Sequence, residues 1–208
     1  MTSMDRLRDS LRHLPLIAIL RGMKPEEAPW VLEVLAAAGF HILEVPLNSP
    51  QPLESIDYLV RKAPGMLIGA GTVLTVAEVD AVAATGARLM IAPNCALPVI
   101  AAAKARGLIA LPGVATPTEA FTALAAGADG LKMFPGEVLP PAAVKAWRAV
   151  LPKETLLVPT GGVTPENVAA YRAAGADGFG IGSALYKPGM PRDELAQRAA
   201  TFVAAVRQ

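Results

Sequence analysis

The sequence predicts an α/β fold: a single (β/α)8 TIM barrel with an additional N-terminal helix. Three observations carry this. Glycines at Gly39, Gly65, Gly86, Gly107, Gly127 and Gly175 recur at a spacing that fits one helix plus one strand, and Pro152 fills the gap before the seventh strand. Each is followed by a short apolar run, a polar or Pro/Gly break, and an Ala-rich stretch of helical period. No linker or change of composition interrupts the series, so residues 1–208 read as one domain.

The elements follow in order. Met4 to Leu14 places apolar residues at helical spacing between charges, which predicts an amphipathic helix. Strands are predicted near 15–20, 41–46, 66–70, 87–92, 108–112, 129–134, 155–160 and 177–182. Helices are predicted near 25–38, 50–62, 75–85, 96–105, 117–126, 140–150, 165–174 and 191–206. Pro25, Pro50, Pro117 and Pro165 are assigned to first helical turns. Thr75 with Glu78 and Thr116 with Glu119 have capping-box spacing. A doubly wound open sheet is the alternative, but it would usually carry a glycine-rich dinucleotide turn after the first strand, and Leu20-Arg21-Gly22-Met23 is not one.

Two residues break the pattern. Glu44 sits inside His41-Ile42-Leu43-Glu44-Val45-Pro46-Leu47, and Lys132 inside Gly130-Leu131-Lys132-Met133-Phe134-Pro135. A strand covered on both faces is a continuous aliphatic run, so a charge within it has no cheap place to go. Strand alternation sets Glu44 opposite to Leu43 and Val45, and Lys132 opposite to Leu131 and Met133. The large aliphatics belong against the helices, so Glu44, Lys132 and Phe134 are expected to point into the barrel. Burial favours the neutral amine of a lysine and makes it a nucleophile, and a nearby carboxyl can shuttle protons. The other reading is a structural ion pair that holds two strands in register; on these residues both stand open.

Function in a barrel gathers at the C-terminal ends of the strands. Gly161-Gly162 after the seventh strand and Gly182-Ser183 after the eighth stand where barrels commonly bind phosphate through backbone N–H groups. The alternative is that these loops merely turn tightly.

Composition excludes other classes. The 208 residues carry a net charge of +1 and no basic run, which argues against nucleic acid as a partner. The hydrophobic content of 53% argues against disorder. No apolar stretch reaches the length of a membrane span, and the N-terminus lacks a signal-peptide core. The single Cys95 fits a reducing cytoplasm and reads as a small half-buried residue rather than a nucleophile. The two histidines, His13 and His41, lack ligand spacing, so no metal site is expected.

The residues also carry a resemblance. Leu43-Glu44-Val45, Gly69-Ala70-Gly71-Thr72-Val73, Pro112 to Glu119, Leu131-Lys132-Met133-Phe134-Pro135, Pro159-Thr160-Gly161-Gly162-Val163 and Gly182-Ser183 occur in order over strands 2 to 8. In these the chain resembles the class I aldolases of 2-keto-3-deoxy-6-phospho sugar acids. Pro15 to Gly22 and Glu44 to Pro50 are closer to the 6-phosphogalactonate branch; the gluconate branch typically carries Arg where Asn48 stands. Thr160 departs from this, being typical of the gluconate branch. The two substrates differ at C4.

The resemblance implies that Lys132 forms a Schiff base with the C2 carbonyl and that Glu44 relays protons. It implies that Arg21 and Thr72 hold the pyruvyl carboxylate and that Pro93 and Phe134 wall the methyl side. Gly161, Gly162, Gly182 and Ser183 would cradle the phosphate, with Thr160 beside them reading C4. The implied products are pyruvate and D-glyceraldehyde 3-phosphate, without metal or cofactor, and the implied assembly is a homotrimer. Two alternatives accompany this reading. One is a 2-dehydro-3-deoxy-6-phosphogluconate aldolase of Entner-Doudoroff type, with or without activity on 4-hydroxy-2-oxoglutarate. The other is a phosphosugar barrel, catalytic or binding only, without a reactive lysine.

Overall fold

The computed structural model describes residues 3–207. A helix, α1 (Ser3–His13), leads into a regular alternation. It runs β1 (Leu16–Ile19), α2 (Ala28–Ala37), β2 (Ile42–Pro46), α3 (Pro52–Lys62), β3 (Leu67–Gly71), α4 (Val76–Ala84), β4 (Leu89–Ile91) and α5 (Leu97–Ala105). It continues β5 (Ile109–Leu111), β6 (Gly113–Val114), α6 (Pro117–Ala125), β7 (Gly130–Met133), α7 (Pro141–Arg148), β8 (Leu156–Pro159), α8 (Val168–Ala173), β9 (Phe179–Ile181) and α9 (Arg192–Arg207).

All strand pairs are parallel, as short strands joined by helical crossovers require. One sheet has the order β5-β4-β3-β2-β1-β9 and the other β6-β7-β8. Backbone hydrogen bonds link the two at both margins. Asp129 N–H donates to Ala110 O, and Asp177 N–H to Leu157 O, each at 2.9 Å. Thr160, just past β8, pairs with Gly180 in β9.

The strand alternation divides the apolar residues into two cores. Leu43, Val45, Leu131 and Met133 pack in the cluster shared with the helices. Ile17, Ile42, Leu67, Leu89, Ile109, Leu111, Leu156 and Val158 form a second cluster, which Leu7 and Leu11 of α1 join. Glu44 lies two residues beyond Ile42 on β2, so it shares the facing of the inner cluster, as expected from the sequence.

Most helix starts follow the expected chemistry. Thr75 accepts from Glu78 N–H while Glu78 accepts from Thr75 N–H, and Thr116 and Glu119 repeat the pattern. Each such cap is worth about 1 kcal/mol. Three assignments need correction. The helix expected over 25–38 opens as a 3-10 turn, Pro25–Glu27, before α2. Pro50 is not in a first turn; Gln51 caps α3 from a left-handed conformation and Pro52 takes the first position. Pro165 falls in a turn before α8, where Asn167 Oδ1 accepts from Thr164 N–H at 2.9 Å. Of the six helix-ending glycines, all but Gly65 take the positive φ that favours glycine. The fifth predicted strand is broken at Pro112, which has no N–H to donate, and resumes as β6.

Candidate active site

Lys132 on β7 and Glu44 on β2 are both buried, with 5% and 1% of their surfaces exposed. They line one small inner void of about 10 Å³, close to the space of a single water, together with Ile91, Leu111, Val158 and Thr160. Glu44 is not held in an ion pair. Among the described residues no salt bridge within 4.0 Å reaches it, and its Oε1 is buried without a hydrogen-bond partner. Burial pushes its carboxyl above the usual range, and the charges of Lys132 and Arg21 pull it only part of the way back. A protonated carboxyl avoids the several kcal/mol that an unpaired buried carboxylate would cost.

The strands around Glu44 are shaped for it. A Cβ at Gly71 would lie 1.7 Å from Glu44 Oε1, so β3 must be bare where the carboxyl rests. On the far side, Lys132 Nζ stands 5.2 Å from the centroid of the Phe134 ring, two residues along the same face. That distance is a cation–π contact.

Above the void opens a cavity of about 950 Å³ at the C-terminal ends of β1, β7, β8 and β9. Lys132 and Thr160 line both spaces, so the amine stands at their junction. Thr160 is buried, and its Oγ1 would lie 2.3 Å from a Cβ at Gly180, which explains a glycine there. Gly161, Gly162, Gly182 and Ser183 line the outer cavity, as do Arg21 and Phe134. Gly161 and Gly162 have φ of 95° and 64°, two successive left-handed residues that let the backbone turn sharply at the cavity wall. Arg21 donates from Nη1 to Asn48 Oδ1 at 2.7 Å, and Gly22 N–H donates to the buried Ser49 Oγ at 2.9 Å.

Two sequence-assigned residues do not line either space. Thr72 follows β3 at φ 55°, a left-handed conformation that costs a β-branched residue about 1–3 kcal/mol. Pro93 lies beside β6, where its carbonyl would meet a Cβ at Gly113, the register partner of Lys132. Sequence reasoning missed Glu137, Tyr186, Lys187 and Arg198, which also line the outer cavity. Of these, Glu137 rests its carboxylate against the glycine turn, where a Cβ at Gly161 would come within 2.5 Å of Oε2. Only its position just after the lysine strand could have pointed to it. Cys95 is half-buried and free; burial pushes its thiol up, which makes it a poor nucleophile. No group of three or more metal-ligating side chains occurs among the described residues.

The fold and site together define a class: a parallel α/β protein with a buried lysine and carboxyl beneath a glycine-lined cavity. The sequence profile of the KDPG and KHG aldolase family matches residues 7–199, and the chain belongs to that family. It is 48% identical to the 2-dehydro-3-deoxy-6-phosphogalactonate aldolase of Escherichia coli (strain K12), covering 94% of this chain and 96% of that one. It is 52% identical to a Rhizobium meliloti (strain 1021) protein named "Probable 2-dehydro-3-deoxy-6-phosphogalactonate aldolase", over 97% and 96% of the two chains. The 2-dehydro-3-deoxy-phosphogluconate aldolase of Pseudomonas aeruginosa is more distant, at 36% identity over 81% of this chain and 76% of that one. Among solved structures, one described as native KDPGal superposes with a TM-score of 0.92 at 49% identity, covering 93% and 95%. A Legionella pneumophila KDPG aldolase, solved with pyruvate captured as a covalent carbinolamine, superposes with a TM-score of 0.84 at 28% identity, covering 95% and 97%.

Proposed function

We propose that this protein is a class I aldolase that cleaves 2-dehydro-3-deoxy-6-phosphogalactonate to pyruvate and D-glyceraldehyde 3-phosphate. One observation carries the reading: a buried lysine at the junction of a glycine-lined cavity and a void that holds an unpaired carboxyl. The near-full-length likeness to two proteins of the galactonate name supports the substrate.

Lys132 Nζ adds to the C2 carbonyl of the substrate, and Glu44 supplies the proton with which the carbinolamine loses water. The resulting protonated imine is the electron sink, so the step needs no metal. Glu44, now ionised, takes the C4 hydroxyl proton; the C3–C4 bond breaks toward the imine and releases the aldehyde. Protonation of the enamine at C3 and hydrolysis of the imine return pyruvate and free Lys132. Arg21 holds the substrate carboxylate by charge-assisted hydrogen bonds. Thr72 shares that role, which the strained left-handed residue at the end of β3 supports. Phe134 walls the methyl side together with Pro93, which stands one strand away beside Gly113. Gly161, Gly162, Gly182 and Ser183 hold the phosphate, and Thr160 meets the C4 hydroxyl.

The same reading completes the architecture. Counting β5 and β6 as one strand gives a closed (β/α)8 barrel over residues 1–208, a single domain, with α1 across its base. Residues 1, 2 and 208 lie outside the described part. The assembly is a homotrimer. Leu53, Leu74, Val76 and Leu97 are exposed at or beside the starts of α3, α4 and α5, and Phe121 is exposed midway along α6, an apolar arc that a partner subunit would cover. The free Cys95 thiol supports a cytoplasmic setting. No helix among the described residues is long and apolar enough to cross a membrane.

The test is the specificity constant on both C4 epimers, for the wild type and for Thr160→Val. The wild type is expected to favour the galactonate derivative with appreciable activity on the gluconate one. Thr160→Val is expected to shift the ratio toward galactonate, because a site that pairs a hydroxyl discriminates strongly against the wrong arrangement. A wild type that prefers the gluconate epimer would overturn the substrate, and an unchanged ratio would remove Thr160 from C4 recognition.

A further inference from the structure

The mechanism above leaves one lining cation of the outer cavity unused and half-buried. Arg198 reaches the cavity from α9. Its Nη1 donates to the carbonyl oxygens of Ser183 at 3.1 Å and Ala184 at 3.3 Å, while Nη2 pairs with Glu194 one turn back. The neighbouring Gly182 carbonyl accepts from Leu185 N–H at 2.9 Å and Tyr186 N–H at 3.0 Å. Three successive carbonyls of this loop are therefore tied down.

In a trans peptide the C=O and the N–H point in opposite directions. Fixing the Gly182 and Ser183 carbonyls thus fixes the N–H groups of Ser183 and Ala184. Neither of these N–H groups donates a hydrogen bond within the described residues, although both residues line the cavity. The glycine turn after β8 repeats the device. Asn167 donates from Nδ2 to Gly162 O at 2.8 Å, and its Oδ1 is itself fixed by Thr164 N–H. The N–H groups of Gly162 and Val163 likewise donate to nothing within the described residues. An anion of the protein's own, the Glu137 carboxylate, already rests against this turn.

We propose that Arg198 and Asn167 are positioning residues for the substrate phosphate: from α9 and from the turn before α8 they hold the carbonyls of Ser183 and Gly162, and so aim the unpaired N–H groups of Ala184 and Val163 at one anion. This deepens the aldolase reading and rests on it for the identity of the anion. Arg198 adds its charge without touching the reacting atoms.

The experiment compares wild type, Arg198→Ala, Arg198→Lys and Asn167→Ala in the condensation of pyruvate with D-glyceraldehyde 3-phosphate and with unphosphorylated D-glyceraldehyde. The expected result is a fall of about tenfold or more in the ratio of the two specificity constants in both alanine variants, carried by KM, since lost anion contacts weaken only the phosphorylated partner. Arg198→Lys keeps the charge but not the two-carbonyl fork, and is expected to fall between. Binding of inorganic phosphate, followed by calorimetry, is expected to weaken in parallel. If both aldehydes decline alike in Arg198→Ala and Asn167→Ala, or phosphate binds all four proteins equally, the proposal is overturned. Should Arg198→Ala fail to fold, Asn167→Ala and Arg198→Lys decide it. A wild type that condenses neither aldehyde would instead overturn the aldolase reading, and the phosphate titration would still judge the two loops.

Discussion

Glu44 shows how one side chain can be read at two levels. Its place inside an apolar strand marks it in the sequence, but the choice between a structural ion pair and a working acid depends on its partners. The structure gives it no ion pair and leaves Oε1 buried and unpaired. Its raised pKa has a consequence for stability. A carboxyl that binds its proton more tightly when folded stabilises the protein below the ordinary carboxyl range. That contribution is lost as pH rises through the raised value. Glu44→Gln has no such proton to lose. As pH rises above the ordinary carboxyl range its melting temperature is therefore expected to gain on the wild type, while turnover falls by about 10²-fold or more. Calorimetry and turnover on the same samples check both; a destabilised variant with an intact rate per folded molecule would return Glu44 to a purely structural role.

Among the elements, β2 and β3 work as a unit. Glu44 pairs in register with Gly69, and its carboxyl lies where a Cβ at Gly71 would stand. The atoms in the way are the far end of a flexible side chain. Gly71→Ala is thus expected to fold with a loss within the usual 1–3 kcal/mol of overpacking, yet to lose about as much turnover as Glu44→Gln by displacing the carboxyl. Unchanged turnover would mean that the resting place of Glu44 is not its working place. This constraint was hidden in the sequence, where Gly69-Ala70-Gly71 is only a run of small residues. What was legible were elements governed by local chemistry: the two capping boxes, the apolar runs, and the five left-handed glycines. Pro50 and Pro165 misled because a proline near a helix start does not by itself say which residue begins it. Gln51 and Asn167 settle that through backbone conformation and side-chain hydrogen bonding.

Across the whole molecule, strand ends legible in the sequence line the cavity, but residues that arrive from elsewhere were not legible. Lys132, Phe134, Thr160 and the glycine loops follow from strand order, because each ends a strand at the same face. Arg198 does not, since nothing local to α9 tells which loop it will reach. The resemblance gave Thr72 a share of the carboxylate and Pro93 a place in the wall, yet neither residue lines the cavity. The apolar arc over α3 to α6 is likewise a property of neighbouring helices, visible only once they stand side by side. In the proposed trimer, Phe121→Glu is expected to shift the assembly toward monomer in sedimentation equilibrium, because burying a new charge in an apolar contact costs several kcal/mol. A wild type that sediments as a monomer would refute the assembly and leave the arc unexplained.

The central claim is that Lys132 forms a covalent bond with the keto acid. Pyruvate and borohydride added together, followed by peptide mass spectrometry, test it most directly. A single reduced pyruvyl adduct on the peptide containing Lys132, absent from Lys132→Ala, is the expected result. An unlabelled wild type, or a Lys132→Ala variant labelled on another lysine, would contradict the account.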